Sequence, residues 1–172
     1  MDIEIAESTA VPEVIRIVAR CTQTMREKGI DQWDTVYPDL EGIYDDARER
    51  SLFIAREGDL CVGSVCLNRI ASEQYKSVAW TCVGDNVLVV HRLCVDPEWQ
   101  RKGIASALMN FAERFARSEG YACIHLDAYS GNARAVDLYE RRGYRRRGQV
   151  CFPRRTLPFV CFELRIDGKT ID

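Results

Sequence analysis

Nine consecutive residues, Val87-Leu88-Val89-Val90-His91-Arg92-Leu93-Cys94-Val95, form an apolar, β-branched run that predicts a buried central strand. Asp96-Pro97 ends it, because the residue before a proline is restricted and proline cannot donate into a ladder. A central strand needs neighbours and cover, so the chain must build a sheet with helices around it. The strongest helical pattern follows directly. Over Gly103 to Glu119, Ile104, Leu108, Phe111 and Phe115 recur at three- to four-residue spacing, and Gly120 supplies the stop.

The remaining chain supplies the partners. Met1 to Ala6 alternates, with Ile3 and Ile5 inward. Ser8 or Thr9 can cap a helix to about Lys28, with Val11, Val14, Ile15, Val18, Cys21 and Met25 as its apolar face and Gly29 as its stop. Gly29 to Pro38 reads as irregular and carries Trp33 and Tyr37; a shorter, charge-rich helix covers Leu40 to Arg50. Leu52 to Arg56 and Cys61 to Leu67 read as a hairpin turning at Glu57-Gly58-Asp59. Residues 68–86 are polar, with strand extension possible and Trp80 as the anchor. Ala122 to Asp127 is a strand, Asn132 to Arg142 a helix closed by Gly143, and Tyr144 to Val150 and Phe159 to Ile166 are the last strands. There is no repeat, low-complexity tract or linker, so the expectation is one α/β (α+β) domain over residues 1–172 with a single central sheet.

Composition removes other classes. The 172 residues are 47% apolar and 29% charged, with a mean hydropathy of −0.24, which excludes disordered, collagen-like and coiled-coil chains. No run reaches the roughly 18 apolar residues a membrane span needs. Met1-Asp2-Ile3-Glu4 is acidic and lacks the pattern of a secretory signal, so the expected setting is cytoplasmic. The eight cysteines, Cys21, Cys61, Cys66, Cys82, Cys94, Cys123, Cys151 and Cys161, sit mostly in apolar stretches and read as reduced thiols. With no Cys-x-x-Cys and only His91 and His125, no metal site is expected. Charge is asymmetric: residues 1–90 hold nine basic and sixteen acidic side chains, residues 91–172 fifteen and ten. Cationic and anionic groups are therefore expected to be handled in different places.

The junction Gln100-Arg101-Lys102-Gly103-Ile104-Ala105-Ser106 is where chemistry concentrates. A strand ends, a basic turn follows, and small residues open a helix whose first amides have no internal partners. Such a turn presents main-chain donors, the positive helix end and two cations to one anion, and suits a pyrophosphate. Its spacing matches neither the ATP-loop nor the dinucleotide pattern. Taken alone, it reads equally as a solvated helix start.

A second signature lies about 30 residues on: Leu126-Asp127-Ala128-Tyr129-Ser130-Gly131-Asn132, then Ala133, Ala135, Leu138-Tyr139-Glu140 and Gly143-Tyr144. Together with Gln-x-x-Gly-x-Ala it resembles the GNAT superfamily of acyl-CoA-dependent N-acetyltransferases, over about residues 50–166 and most strongly from His91 to Tyr144. The Asp31-Gln32-Trp33 and Tyr37-Pro38 segment is also similar to small bacterial members. The resemblance implies a mixed, mostly antiparallel sheet of six to seven strands, splayed at the cofactor slot and flanked by about four helices. It implies acetyl-CoA as donor and an amine acceptor, a small molecule or a peptide, attacking directly in a ternary complex.

It also implies residue roles. The main chain of Leu93, Cys94 and Val95 would pair with the pantetheine arm as an added strand. Amides from Gln100 through Arg101, Lys102, Gly103, Ile104 and Ala105 to Ser106 would hold the pyrophosphate, and Asn132 would touch the cofactor. Tyr139 matches the tyrosine that points at the thioester sulfur, although the same helical face also fits core packing. The strand offers no carboxylate as general base, so His91 ranks first, Asp127 second and a water chain to an acidic N-terminal residue third; His91 fits a core histidine equally well. Trp33 and Tyr37 either line the acceptor pocket or pack under a loop. Two other readings stand beside this one. A non-catalytic acyl-CoA sensor would bind without turnover. A nucleic-acid module would use Arg134, Arg141, Arg142, Arg145, Arg146, Arg147, Arg154 and Arg155, a cluster that equally fits the 3′-phosphate of CoA or a solvated face.

Overall fold

A computed structural model describes residues 1–166. The chain divides into two compact units, one of Met1–Leu67 with His91–Phe111, the other of Asn68–Val90 with the chain from Ala112 on. The described residues form seven strands and four α-helices, the strands in the order β1-β2-β3-β4-β5-β7-β6.

The first unit opens with β1 (Asp2–Ile5), which pairs antiparallel with β2 (Leu52–Glu57), which in turn pairs antiparallel with β3 (Leu60–Asn68). Helix α1 spans Val11–Glu27. Ser8 and Thr9 do not cap it; with Ala10 they form a 3-10 turn, and Pro12 in the first helical turn, where a missing N–H costs nothing, takes over the start. Ile17 is fully buried, whereas Ile15 is only partly so, a small rotation of the predicted face. Helix α2 (Leu40–Arg48) begins at Asp39, whose carboxylate accepts from Gly42 N at 2.7 Å. A Cβ at Gly42 would sit 2.4 Å from that carboxylate oxygen, so the glycine inside the helix makes room for the cap. The helix stops two residues short of the expected Arg50, which adopts a left-handed φ of 55° while Ser51 N donates to Asp46 O.

Strand β4 (Val87–Val95) matches the sequence expectation residue for residue and belongs to both units. Its first half lies in the second unit and pairs parallel with β5 (Cys123–Tyr129) at Val87↔Cys123, Leu88↔Ile124 and Val89↔His125. These are three positions of a nine-residue strand. Antiparallel pairing continues through β7 (Phe159–Arg165) to β6 (Arg145–Val150). Helix α3 covers Ile104–Ser118, and α4 (Ala133–Arg141) is capped by Asn132, which accepts from Ala135 N at 3.3 Å. Residues 68–86 contain no strand, only a 3-10 turn at Glu73–Ser77.

That segment carries one correction. Cys82 and Cys123 form a disulfide, so the thiols are not all free; the others described remain so. The bridge ties the irregular segment to β5, a pairing no local pattern announces.

Candidate functional site

In the first unit the geometry gathers at the end of β4. Asp96 turns the chain: its carboxylate accepts from Glu98 N at 3.0 Å and from Arg20 Nη1 at 3.1 Å, and its amide donates to Val62 O at 2.9 Å. Gln100 Nε2 returns to Val95 O at 3.2 Å, and Lys102 Nζ lies 4.3 Å from the centre of the Trp99 ring. Two residues of the turn are left-handed, Arg101 at φ 66° and Gly103 at φ 84°. Residues in this conformation tilt successive amides toward one side, a concavity that takes anions. Arg101, Lys102 and Gly103 are exposed, Ile104 is buried, and Ala105 and Ser106 are half-buried. Ala107 N makes the bond to Gly103 O at 2.9 Å, which leaves the amides of Ile104 and Ala105 ahead of the helical ladder. A Cβ on Gly103 would meet nothing within 4 Å, so its φ, not crowding, is what requires glycine.

The start of α3 also lies close to the strands. A Cβ on Gly63 of β3 would approach Cys94 O to 2.9 Å and the side chains of Leu108 and Ile104 to 3.2 and 3.3 Å. The absent side chain thus sets how near α3 comes to the main chain of β4. The Cys94 thiol is turned into this packing, 3.2 Å from Ser64 Oγ, while Cys21 Sγ donates to Val95 O at 3.1 Å. The Cys94 sulfur is therefore engaged in this packing.

The other first-unit candidates separate. Trp33 is 5% exposed and packs in the core with residues of α1 and α2, the packing alternative of the sequence reading. Tyr37 is 41% exposed, its amide donating to Asp34 Oδ1 at 2.8 Å. His91 is half-buried on β4. Its neighbour Arg92 has a left-handed φ of 49° within the strand and forms an ion pair with Asp46 of α2. Burial pushes the Asp46 carboxyl up against the pull of Arg92.

In the second unit Asp127 and Tyr139 stand out. Tyr75, from the 3-10 turn, donates its hydroxyl to Asp127 Oδ2 at 2.7 Å. Burial raises the Asp127 carboxyl to about 6, with the Tyr75 hydrogen bond opposing. Tyr139 is 6% exposed and packs against Tyr144 and Phe162 with ring centres 5.8 and 5.7 Å away. Burial, and then the charge of Asp127, holds its phenol protonated well above the usual range. Asn132 serves α4 as its cap.

Sequence reading missed a buried polar cluster beside them. Glu163 of β7 accepts from His125 Nε2 at 3.1 Å, from Arg147 Nε at 2.9 Å, from the amides of Thr81 and Cys82 at 3.1 and 3.0 Å, and from the Thr81 hydroxyl. Burial pushes Glu163 up, but these donors outweigh it and hold the carboxyl below its ordinary value. One signal was present: in Phe159-Val160-Cys161-Phe162-Glu163, the glutamate occupies the alternate position shared with Phe159 and Cys161. The arginine cluster is partly spent on carboxylates in this unit, with Arg142 on Glu113, Arg146 on Glu140 and Arg147 on Glu163. No described helix is long and apolar enough to cross a membrane.

Comparison with known proteins places these features in context. The model of the Acetyltransferase (GNAT) family matches residues 13–144. Human N-acetyltransferase 8 is 38% identical over 65 residues, which are 38% of this chain and 29% of that protein. Mycothiol acetyltransferase of Nocardiopsis dassonvillei is 39% identical over 61 residues, 36% of this chain and 18% of that protein. The chain thus spans under a third of these relatives. Among solved structures, a GNAT-family acetyltransferase from Streptococcus agalactiae superposes with a TM-score of 0.81 at 16% identity, covering 95% of this chain and 94% of that one. The Salmonella typhimurium protein yncA, solved with its cofactor acetyl-CoA, gives a TM-score of 0.74 at 15% identity, covering 100% and 97%.

Proposed function

The chain belongs to the GNAT acetyltransferase family, and from that premise we propose that it transfers the acetyl group of acetyl-CoA directly to a primary amine. The observation that carries this reading is the turn from Gln100 to Ala105, where two left-handed residues, two exposed cations and open space beside Gly103 meet at a helix start. Those features fit a pyrophosphate. Acetyl-CoA, when bound, supplies a thioester that an amine attacks without prior capture by the protein. The amides from Arg101 to Ala105 would hold the pyrophosphate, Arg101 and Lys102 would add charge, and the main chain of Leu93, Cys94 and Val95 would pair with the pantetheine arm.

The proton chemistry is assigned to the second unit. An alkylammonium has a pKa of about 10.4, so a base must take its proton before attack. We assign that base to Asp127 ahead of His91. A carboxyl raised to about 6 is ionised at neutral pH yet basic enough to hold a proton. Tyr139 Oη keeps its proton and can donate a hydrogen bond to the leaving thiolate, which stabilises the charge as the carbon–sulfur bond breaks. The stretch the family matches, residues 13–144, takes in parts of both units, and we take the two as one acetyltransferase domain over 1–172, of which 167–172 lie outside the described residues.

The test is release of free thiol from acetyl-CoA across a panel of polyamines, amino acids, aminoglycosides and short peptides. Amine-dependent release is the expected result. Tight CoA binding in calorimetry without release for any amine would favour the sensor reading instead.

A further inference from the structure

Within the second unit, residues 69–85 wall a cavity of about 600 Å³ whose floor is Val87, Val89 and His125. This is the size range of small-molecule sites. The register fixes the direction of that floor. Val89 pairs with His125, and side chains two residues apart share a sheet face, so the next β5 residue on the face of His125 is Asp127. Tyr75 lines the cavity and its hydroxyl reaches Asp127.

What the walls offer follows from which of their polar atoms are already engaged. Trp80 Nε1 donates to Tyr75 O at 3.0 Å, and the indole stacks on His125 with ring centres 3.7 Å apart. His125 is held by Glu163, and burial keeps the imidazole on the neutral side. At the rim Lys76 pairs with Glu73 at 2.6 Å, and Arg69 donates to Asp85 O and lies over the Tyr121 ring. Tyr75 and Trp80 pack against each other with ring centres 5.1 Å apart and line the cavity alongside Val87 and Val89. The Ser72 hydroxyl is left buried without a partner. A chamber with apolar and aromatic walls, charged side chains paired at its rim, and a phenol leading to a carboxylate takes a flat apolar body that ends in one amine.

We propose that this chamber is the acceptor site and that its substrate class is arylalkyl primary amines, the ring against Tyr75, Trp80 and Val87 and the amine toward Asp127, with Tyr75 as the positioning residue for that carboxylate. The proposal rests on the acetyltransferase reading and goes beyond it by naming the acceptor.

Steady-state kinetics with tryptamine and 2-phenylethylamine, against spermidine and glycine, test it, with CoA affinity measured separately by calorimetry. The arylalkyl amines should show kcat/KM at least tenfold above the other two. Val87→Phe, which fills the chamber, should raise their KM about tenfold or more while CoA still binds. Ser72→Leu places bulk in the same space from the opposite wall and should do likewise if Val87→Phe does not fold. Tyr75→Phe should move the acid limb of kcat/KM to higher pH, because a hydrogen bond to the ionised carboxylate is lost; a merely structural tyrosine would leave that limb in place. CoA binding together with a preference for spermidine or glycine, or an arylalkylamine KM indifferent to both filling variants, would overturn the acceptor assignment while leaving acetyl transfer intact. Loss of CoA binding in the unmodified chain would instead overturn the reading beneath it.

Discussion

Asp127 and Glu163 show how one pair of strands gives two carboxyls opposite habits. Glu163 is surrounded by donors and held low, whereas Asp127 has the Tyr75 hydroxyl against a larger burial cost and is held high, at about 6. A carboxyl whose pKa rises on folding binds its proton more tightly in the native state. Its cost is absent below the unfolded value near 3.9, grows as pH rises toward 6, and is full above that. Asp127→Asn should therefore raise the melting temperature at pH 7.5, by up to about 3 kcal/mol of stability for roughly two pKa units, and the gain should vanish near pH 3.5. The same variant should lose acetyl transfer, and a calorimetric melt run beside the kinetics checks both. Tyr139→Phe should lower kcat more than it raises KM, since the hydroxyl acts on the leaving group and not in binding; equal turnover in both proteins would remove it from the chemistry. Asp127 and Tyr139 were legible because a contiguous motif carries them. Tyr75 and Glu163 were not, since their partners stand 52 and 38 residues away in sequence and nothing local announces such pairs.

Helices and strands were the most readable level, because burial writes itself into periodicity. Strand β4 and helix α3 follow from their apolar spacing, and α3 and α4 end just before Gly120 and Gly143, which adopt left-handed φ of 73° and 85°. The segment of residues 68–86 resisted for a physical reason: it is held by side-chain hydrogen bonds, a stacked ring and a disulfide, none of which has a period. Two glycines stand near the start of α3, Gly63 by close contact and Gly103 by its backbone conformation, and each predicts a different failure. Gly63→Val would push against Cys94 O and Leu108, so a loss of about 1–3 kcal/mol by overpacking is expected, read as a lower denaturant midpoint together with weaker CoA binding. Gly103→Glu has room for its side chain but adds a negative charge at the turn and strain at φ 84°. It should abolish CoA binding in calorimetry with only a modest fall in stability; unchanged affinity would remove the pyrophosphate from this turn.

Across the whole molecule, charge and covalent chemistry act over longer distances. The acidic excess before residue 90 and the basic excess after it are real in composition, yet Arg142, Arg146 and Arg147 meet carboxylates within their own unit. A basic stretch of sequence is therefore not by itself a basic surface. The disulfide links residues 41 apart, and a loop of that length constrains the unfolded chain by about 4 kcal/mol in the entropic account. Reduction with dithiothreitol should lower the melting temperature, and Cys82→Ser should reproduce the shift and abolish any further effect of the reductant.

Glu163 fastens Thr81 and Cys82 through main-chain amides, which every amino acid but proline provides. The stretch from Asn68 to Val78 contributes one side chain, Tyr75, to the hydrogen bond with Asp127. Its exposed positions Glu73 and Lys76, which pair with each other, can diverge in evolution without disturbing the strands beneath. Exchanging that cassette between relatives would be the economical route to enzymes with new selectivity.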